Sequence, residues 1–104
     1  MPTASPAEIQ KDPGEVRDFV LSFAGSLGSS TISAIDLFRA TDTRTGADAT
    51  SSVLTSPSIQ ADGKSIKFRV IAGQPDSSRY KLEFRVTASD GQKFEANLHL
   101  NVKD

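Results

Sequence analysis

From Tyr80 onward the chain alternates. Tyr80, Leu82, Phe84, Val86 and Ala88 fall on one parity, and Lys81, Glu83, Arg85 and Thr87 on the other. Successive side chains of a strand point to opposite faces, so this spacing predicts a strand with one buried face. Ser89-Asp90-Gly91-Gln92 follows, and Asp-Gly between alternating runs is a strong hairpin signal. Alternation resumes with Phe94, Ala96, Leu98, Leu100 and Val102 against Lys93, Glu95, Asn97, His99 and Asn101. The two runs predict an antiparallel hairpin.

Shorter patterns precede it. Ile66, Phe68 and Val70 alternate with Lys67, Arg69 and Ile71, after a turn at Asp62-Gly63. Phe19, Leu21 and Phe23 share a face opposite Asp18, Val20 and Ser22. Thr31 to Arg39 is apolar and β-branched, and its alternation slips between Ala34 and Leu37; a β-bulge, an inclined crossing or a weak register would each produce such a slip. Its β-branched entry favours a strand over a helix. Ala24–Ser30 and Ala72–Ser78, rich in Gly, Pro and Ser, read as loops. Thr41–Ser52 has no large apolar residue, so it is expected to be exposed and to add little core. Val53-Leu54 and Ile59 are expected in short edge strands on either side of Pro57. Six or seven strands with turns every 8–12 residues are the signature of an all-β sandwich.

The expected sandwich is immunoglobulin-like and antiparallel. Tyr80 opens the penultimate strand after a Gly/Pro/Asp/Ser loop. A tyrosine corner uses a Tyr in that place, with its hydroxyl bonded back to the preceding loop. Pro13 fixes φ and donates no hydrogen bond, so residues 1–12 read as an extended N-terminal arm and 13–104 as one domain. The arm carries Pro2, Pro6 and one sizeable apolar residue, Ile9. Such an arm either adds a strand to a neighbour's sheet edge or is a frayed terminus.

Composition removes most chemistry. The 104 residues include no Cys and one His, so thiol nucleophiles, disulfides and the usual zinc sites are excluded. Gly25 to Ser30 is Gly-rich, but no Lys follows as a phosphate loop requires. No Gly-x-Ser-x-Gly elbow occurs. Asp12, Glu15 and Asp18 lack the spacing of a calcium loop. His99 falls on the outward parity of the last strand. No catalytic, cofactor or metal site is expected. No apolar run exceeds three residues, whereas a membrane span takes about 20. Neither a secretion signal nor a membrane segment is expected.

Twelve Lys+Arg against thirteen Asp+Glu give a net charge of -1, which argues against nucleic acid as a partner. The charge is uneven. Residues 1–63 hold four basic and eight acidic residues, a net of -4, and residues 64–104 hold eight and five, a net of +3. Lys67, Arg69, Lys81 and Arg85 share the polar parity of their strands. If those strands share a sheet, they form a mildly basic outer face suited to an acidic protein surface.

Lys11-Asp12-Pro13-Gly14-Glu15-Val16-Arg17-Asp18-Phe19 leads into Val20-Leu21-Ser22-Phe23, then Leu27-Gly28 and Ser30-Thr31-Ile32. This opening resembles that of small immunoglobulin-like proteins of tailed phages and prophages, described as fibre–tail adaptors or minor virion proteins. The end is similar too: Tyr-x-Leu at Tyr80, Val-Thr-Ala-Ser-Asp-Gly at Val86–Gly91 and an alternating last strand. Where family members often carry Trp, this chain has Phe23 and Leu37. The resemblance implies a non-enzymatic structural component of a virion, made in the bacterial host cytoplasm. It would join tail or neck and fibre components, with other virion proteins or further copies of itself as partners. Ile9, Lys11, Asp12 and Pro13, with the four basic strand residues, are then the candidate interface. The alternative is a carbohydrate-binding adhesion module, but the aromatics it would stack on sugars fall on core parity.

Overall fold

The computed structural model describes residues 8–103. It contains seven strands: β1 (Glu8–Lys11), β2 (Arg17–Ser22), β3 (Ile32–Asp42), β4 (Ser58–Ile59), β5 (Ser65–Val70), β6 (Arg79–Ala88) and β7 (Lys93–Val102). Two single-turn helices interrupt them, α1 (Ala24–Leu27) and α2 (Thr50–Val53). One sheet has the order β1-β7-β6-β3 and the other β2-β5-β4. In chain order these are the immunoglobulin strands C, F and G facing B, E and D, with the first strand added beside the last.

The β6–β7 hairpin follows the alternation residue for residue. Tyr80 pairs with Leu100, Leu82 with Leu98, Phe84 with Ala96 and Val86 with Phe94, and all eight are buried. The turn is closed by the Ala88 N–H donating to the Gln92 carbonyl at 2.7 Å. Gly91 stands at φ 90, a conformation open to glycine and costly for other residues. β3 pairs with β6, with register shifts between Ile32 and Ala34 and between Ile35 and Leu37. The second shift accounts for the slip in the sequence: beyond it Phe38 and Ala40 face the core opposite Phe84 and Leu82, while Leu37 faces outward opposite Arg85.

The two sheets meet through one apolar core. Phe68 of β5 and Phe84 of β6 come to 4.7 Å between ring centroids across the gap, and Phe19 stacks on Phe68 at 5.6 Å. Around them lie Leu21, Phe23, Ile66, Val70, Leu82, Val86, Leu98, Leu100 and Val102, all almost wholly buried.

Three expectations change. The first strand pair is parallel: Glu8–Lys11, assigned from sequence to a loose arm, run alongside His99–Val102. Ile9 packs against the core, and the Lys103 N–H donates to the Lys11 carbonyl at 2.9 Å. Residues 1–7 of that arm lie outside the described residues. Ala24–Ser30 contains the turn α1, which drives Leu27 into the core. Thr41–Ser52 is largely exposed but folds back on β3. The Ala49 N–H donates to the Ala40 carbonyl at 2.8 Å, and the Ala40 N–H donates to Thr50 Oγ1 at 3.1 Å. Val53 is then the buried end of α2 rather than part of an edge strand, and Leu54 makes only an isolated bridge to Val70.

Truncating one of the two rings that join the sheets tests this core. Phe84→Ala is expected to destabilise the domain by about 3–5 kcal/mol, as large-to-small changes at fully buried aromatics do, read as a lowered midpoint in urea unfolding.

Candidate functional site: edges and outer faces

The residues singled out from the sequence divide into two places. The first is the turn between β1 and β2. Lys11 lies on the inward parity of β1 and is 3% exposed. Its ammonium donates to the carbonyls of Asp12 at 2.8 Å, Glu15 at 3.0 Å and Pro13 at 3.5 Å. Three carbonyls thus meet the three donors of one ammonium. The Glu15 carboxylate closes the same turn by accepting the Asp12 N–H at 2.7 Å, and the Glu15 N–H donates to the Asp12 carbonyl at 3.1 Å. Pro13 anchors the next loop by accepting the Gly73 N–H at 3.1 Å. Burial lowers the Lys11 pKa, opposed by the Glu15 and then the Asp12 carboxylates. The Lys-Asp-Pro-Gly-Glu opening is therefore an internal knot, and Lys11 has almost no surface to offer a partner. Asp12 is exposed, while Pro13 and Ile9 are half-buried.

The second place is the pair of outer faces, and here the expected single basic face does not form. Lys67 and Arg69 project from β5 in the three-stranded sheet, Lys81 and Arg85 from β6 in the four-stranded one. The four cations therefore sit on opposite sides of the sandwich. Arg69 binds Asp18 through both carboxylate oxygens, at 2.7 and 3.2 Å, and Lys67 adds a contact at 3.6 Å. Arg85 lies 3.7 Å from Glu95, and Lys81 stands between Thr41 and His99 in the ladder. Asp12, Glu15 and Asp18 are not gathered either, since Glu15 closes its own turn and Asp18 turns to Arg69.

Four ion pairs among the described residues join an acidic residue of 1–63 to a basic residue of 64–104: Asp18 with Lys67, Asp18 with Arg69, Glu8 with Arg79 and Asp36 with Lys93. The uneven charge along the chain is used inside the fold. The Arg69 hydrogen bond, with help from the charges of Arg69 and Lys67, holds the Asp18 carboxyl below its ordinary value against a smaller opposing effect of burial. Bonds from Thr87 to Asp36 and from Thr50 to Asp48 lower those carboxyls in the same direction.

Tyr80 is buried as the second residue of β6. A hydroxyl bond to the preceding loop, which a tyrosine corner requires, is not among the hydrogen bonds of the described residues. That loop is fastened by backbone instead: Ser77 N–H to the Val102 carbonyl at 2.7 Å and Val102 N–H to the Ser78 carbonyl at 2.9 Å. The seven aromatics all turn inward, with Phe23, Phe68, Tyr80, Phe84 and Phe94 buried and Phe19 and Phe38 packed against the core.

What remains for a partner is backbone at the sheet edges. β3 has two bulges, and its ends are covered by Gly63, whose carbonyl takes the Ile32 N–H, and by residues 47–50. Thr31 carbons lie 2.9 Å from the place a side chain at Gly63 would occupy, so that cover fits only glycine. β4 is two residues long after Pro57. β1 has four residues, and its outward Gln10 carbonyl is taken by the Arg17 guanidinium at 3.1 Å. Among the described residues, β2 has none of these protections and exposes Val20 at 62%. An edge strand offers no periodic signal distinct from an inner one, so the sequence alone did not point to β2.

The family model of the podophage GP4 fiber-tail adaptor protein gp77 matches residues 11–101. The chain belongs to this adaptor family. The match begins at Lys11, the residue whose ammonium closes the first turn, and ends one residue short of the end of β7. No curated protein matches the chain. Among the described residues, no helix is long and apolar enough to cross a membrane.

Two outcomes follow from the knot and the carboxylates. Lys11→Met keeps much of the side-chain volume but strands three carbonyls, and is expected to cost about 1–3 kcal/mol, with faster amide exchange in β1. Asp18, whose folded pKa is lowered, contributes stability that is present above its ordinary value of 3.8 and is lost as pH falls through the lowered value. Asp18→Asn should therefore flatten the acid limb of stability against pH, and an unchanged limb in acid titrations would show that the Arg69 pair contributes nothing.

Proposed function

We propose that this chain acts as a non-enzymatic adaptor in a tailed-phage or prophage virion, joining tail or neck and fibre components by protein–protein contacts. The observation that carries the reading is the family match over residues 11–101. The physical character of the domain supports it. The acidic cluster near the start of β2 is dispersed into structural bonds, and the aromatics are spent on the core. A knotted first turn and a bonded set of loops make a stiff body with little conformational entropy to lose on binding. Repeated copies in a symmetric particle multiply a modest affinity per site.

Mass spectrometry and cryo-microscopy of purified particles test this. The protein is expected at the tail–fibre junction, and particles made without its gene should carry tails but lose fibres. Intact, fully fibred particles that contain none of it would refute the adaptor role.

A further inference from the structure

We propose that the outer edge of β2 accepts an extended, acidic segment of another virion protein as an added strand of the three-stranded sheet. This rests on the adaptor reading and names the surface and the chemistry of the partner.

The backbone directions fix which groups are free. The Phe23 N–H donates to the Lys64 carbonyl at 2.8 Å, directly beyond the last pair of the β2–β5 ladder, Ser22 with Ser65. Backbone groups alternate sides along a strand, so those of Phe19 and Leu21 face β5. Those of Asp18, Val20 and Ser22 face the free edge. β5 agrees: the Arg69 and Ser65 carbonyls, on its other side, take the Thr55 and Gln60 N–H groups at 3.1 and 2.9 Å. β2 pairs with β5 over all six residues without a register shift. Exposed edges of this kind are normally bulged, shortened, covered or charged; β3, β4 and β1 each show such a device. β7 runs on beyond β1 with its apolar side chains Phe94, Ala96 and Leu98 already buried. Among the described residues, β2 alone combines a straight, unpaired edge with a large apolar side chain at its centre, Val20, with Val16 exposed at 55% just before it.

Charge selects the occupant. On the outer face of the three-stranded sheet Lys67 and Arg69 flank Asp18, two cations against one anion, while Arg17 falls on the inward parity and is taken up by the Gln10 carbonyl. Lys67 and Arg69 remain 46% and 55% exposed beside that carboxylate. A second copy would bring the same excess of positive charge to the seam. A segment with carboxylates flanking an apolar residue instead matches Lys67 and Arg69 while covering Val20.

A photo-crosslinking amino acid at position 20 of the full-length protein, introduced during phage growth, tests the assignment in purified particles, with position 81 on the opposite face as control. Adducts at 20 are expected to map to an acidic segment of a different virion protein. Val20→Glu sets a carboxylate against that segment and should lower incorporation into particles about tenfold, equivalent to about one lost interaction of 1.4 kcal/mol, with the melting temperature unchanged. Val20→Lys should lower it less. Equal losses would overturn the acidic chemistry. Adducts to a second copy, to residues 1–7 of the same chain, or to nothing in particles that do contain the protein would overturn the site. Particles lacking the protein altogether would overturn the adaptor reading first, and this proposal with it.

Discussion

The fold depends on closing two small sheets over each other at the Phe68–Phe84 contact. Neither sheet could stand alone, since each would leave its one apolar face in water. Phe68 is flanked on its own sheet by Phe19, and Phe84 on its own by Phe38 and Ala96, so a column of aromatic surface runs through the middle. The register of β3 follows from it. The strand must bulge to bring Phe38 and Ala40 inward opposite β6, and Leu37 is left on the outer face as a result.

Where one face of a strand is buried, the sequence was readable. The β6–β7 hairpin, β5, the inward side of β2 and the slip in β3 all follow from spacing, because a one-residue error would turn every core side chain to water. Readability failed where backbone, rather than side-chain burial, decides. Glu8–Lys11 has too few residues for a period, and its parallel pairing with β7 is fixed by the ladder and by a lysine folded into its own turn. Residues 43–52 lack large apolar groups yet are held by bonds to Ala40 and Asp42. The basic face failed for a topological reason: parity assigns a side chain to a face of its strand, not to one of two sheets. The Lys-Asp-Pro opening was recognised as a family mark, but its physical content, an ammonium gripping three carbonyls, required three dimensions.

The same separation explains the charge pattern. The chain's acidic first part and basic second part are brought together because β6 and β7 sit among strands from the first part, and β5 sits beside β2. Exposed pairs of this kind contribute little stability each, but they hold carboxylates of the first part of the chain beside cations of the second.

The parallel pairing of β1 with β7 has a mechanical side. Both strands run in the same direction, with Glu8 beside His99 and Lys11 beside Val102. Tension applied between the first and last strands pulls them past each other lengthwise, not apart like a zip. The rungs of the ladder are then loaded together, and the ammonium-bound turn at the far end of β1 resists the sliding. Resistance to force is set by the unfolding barrier rather than by equilibrium stability.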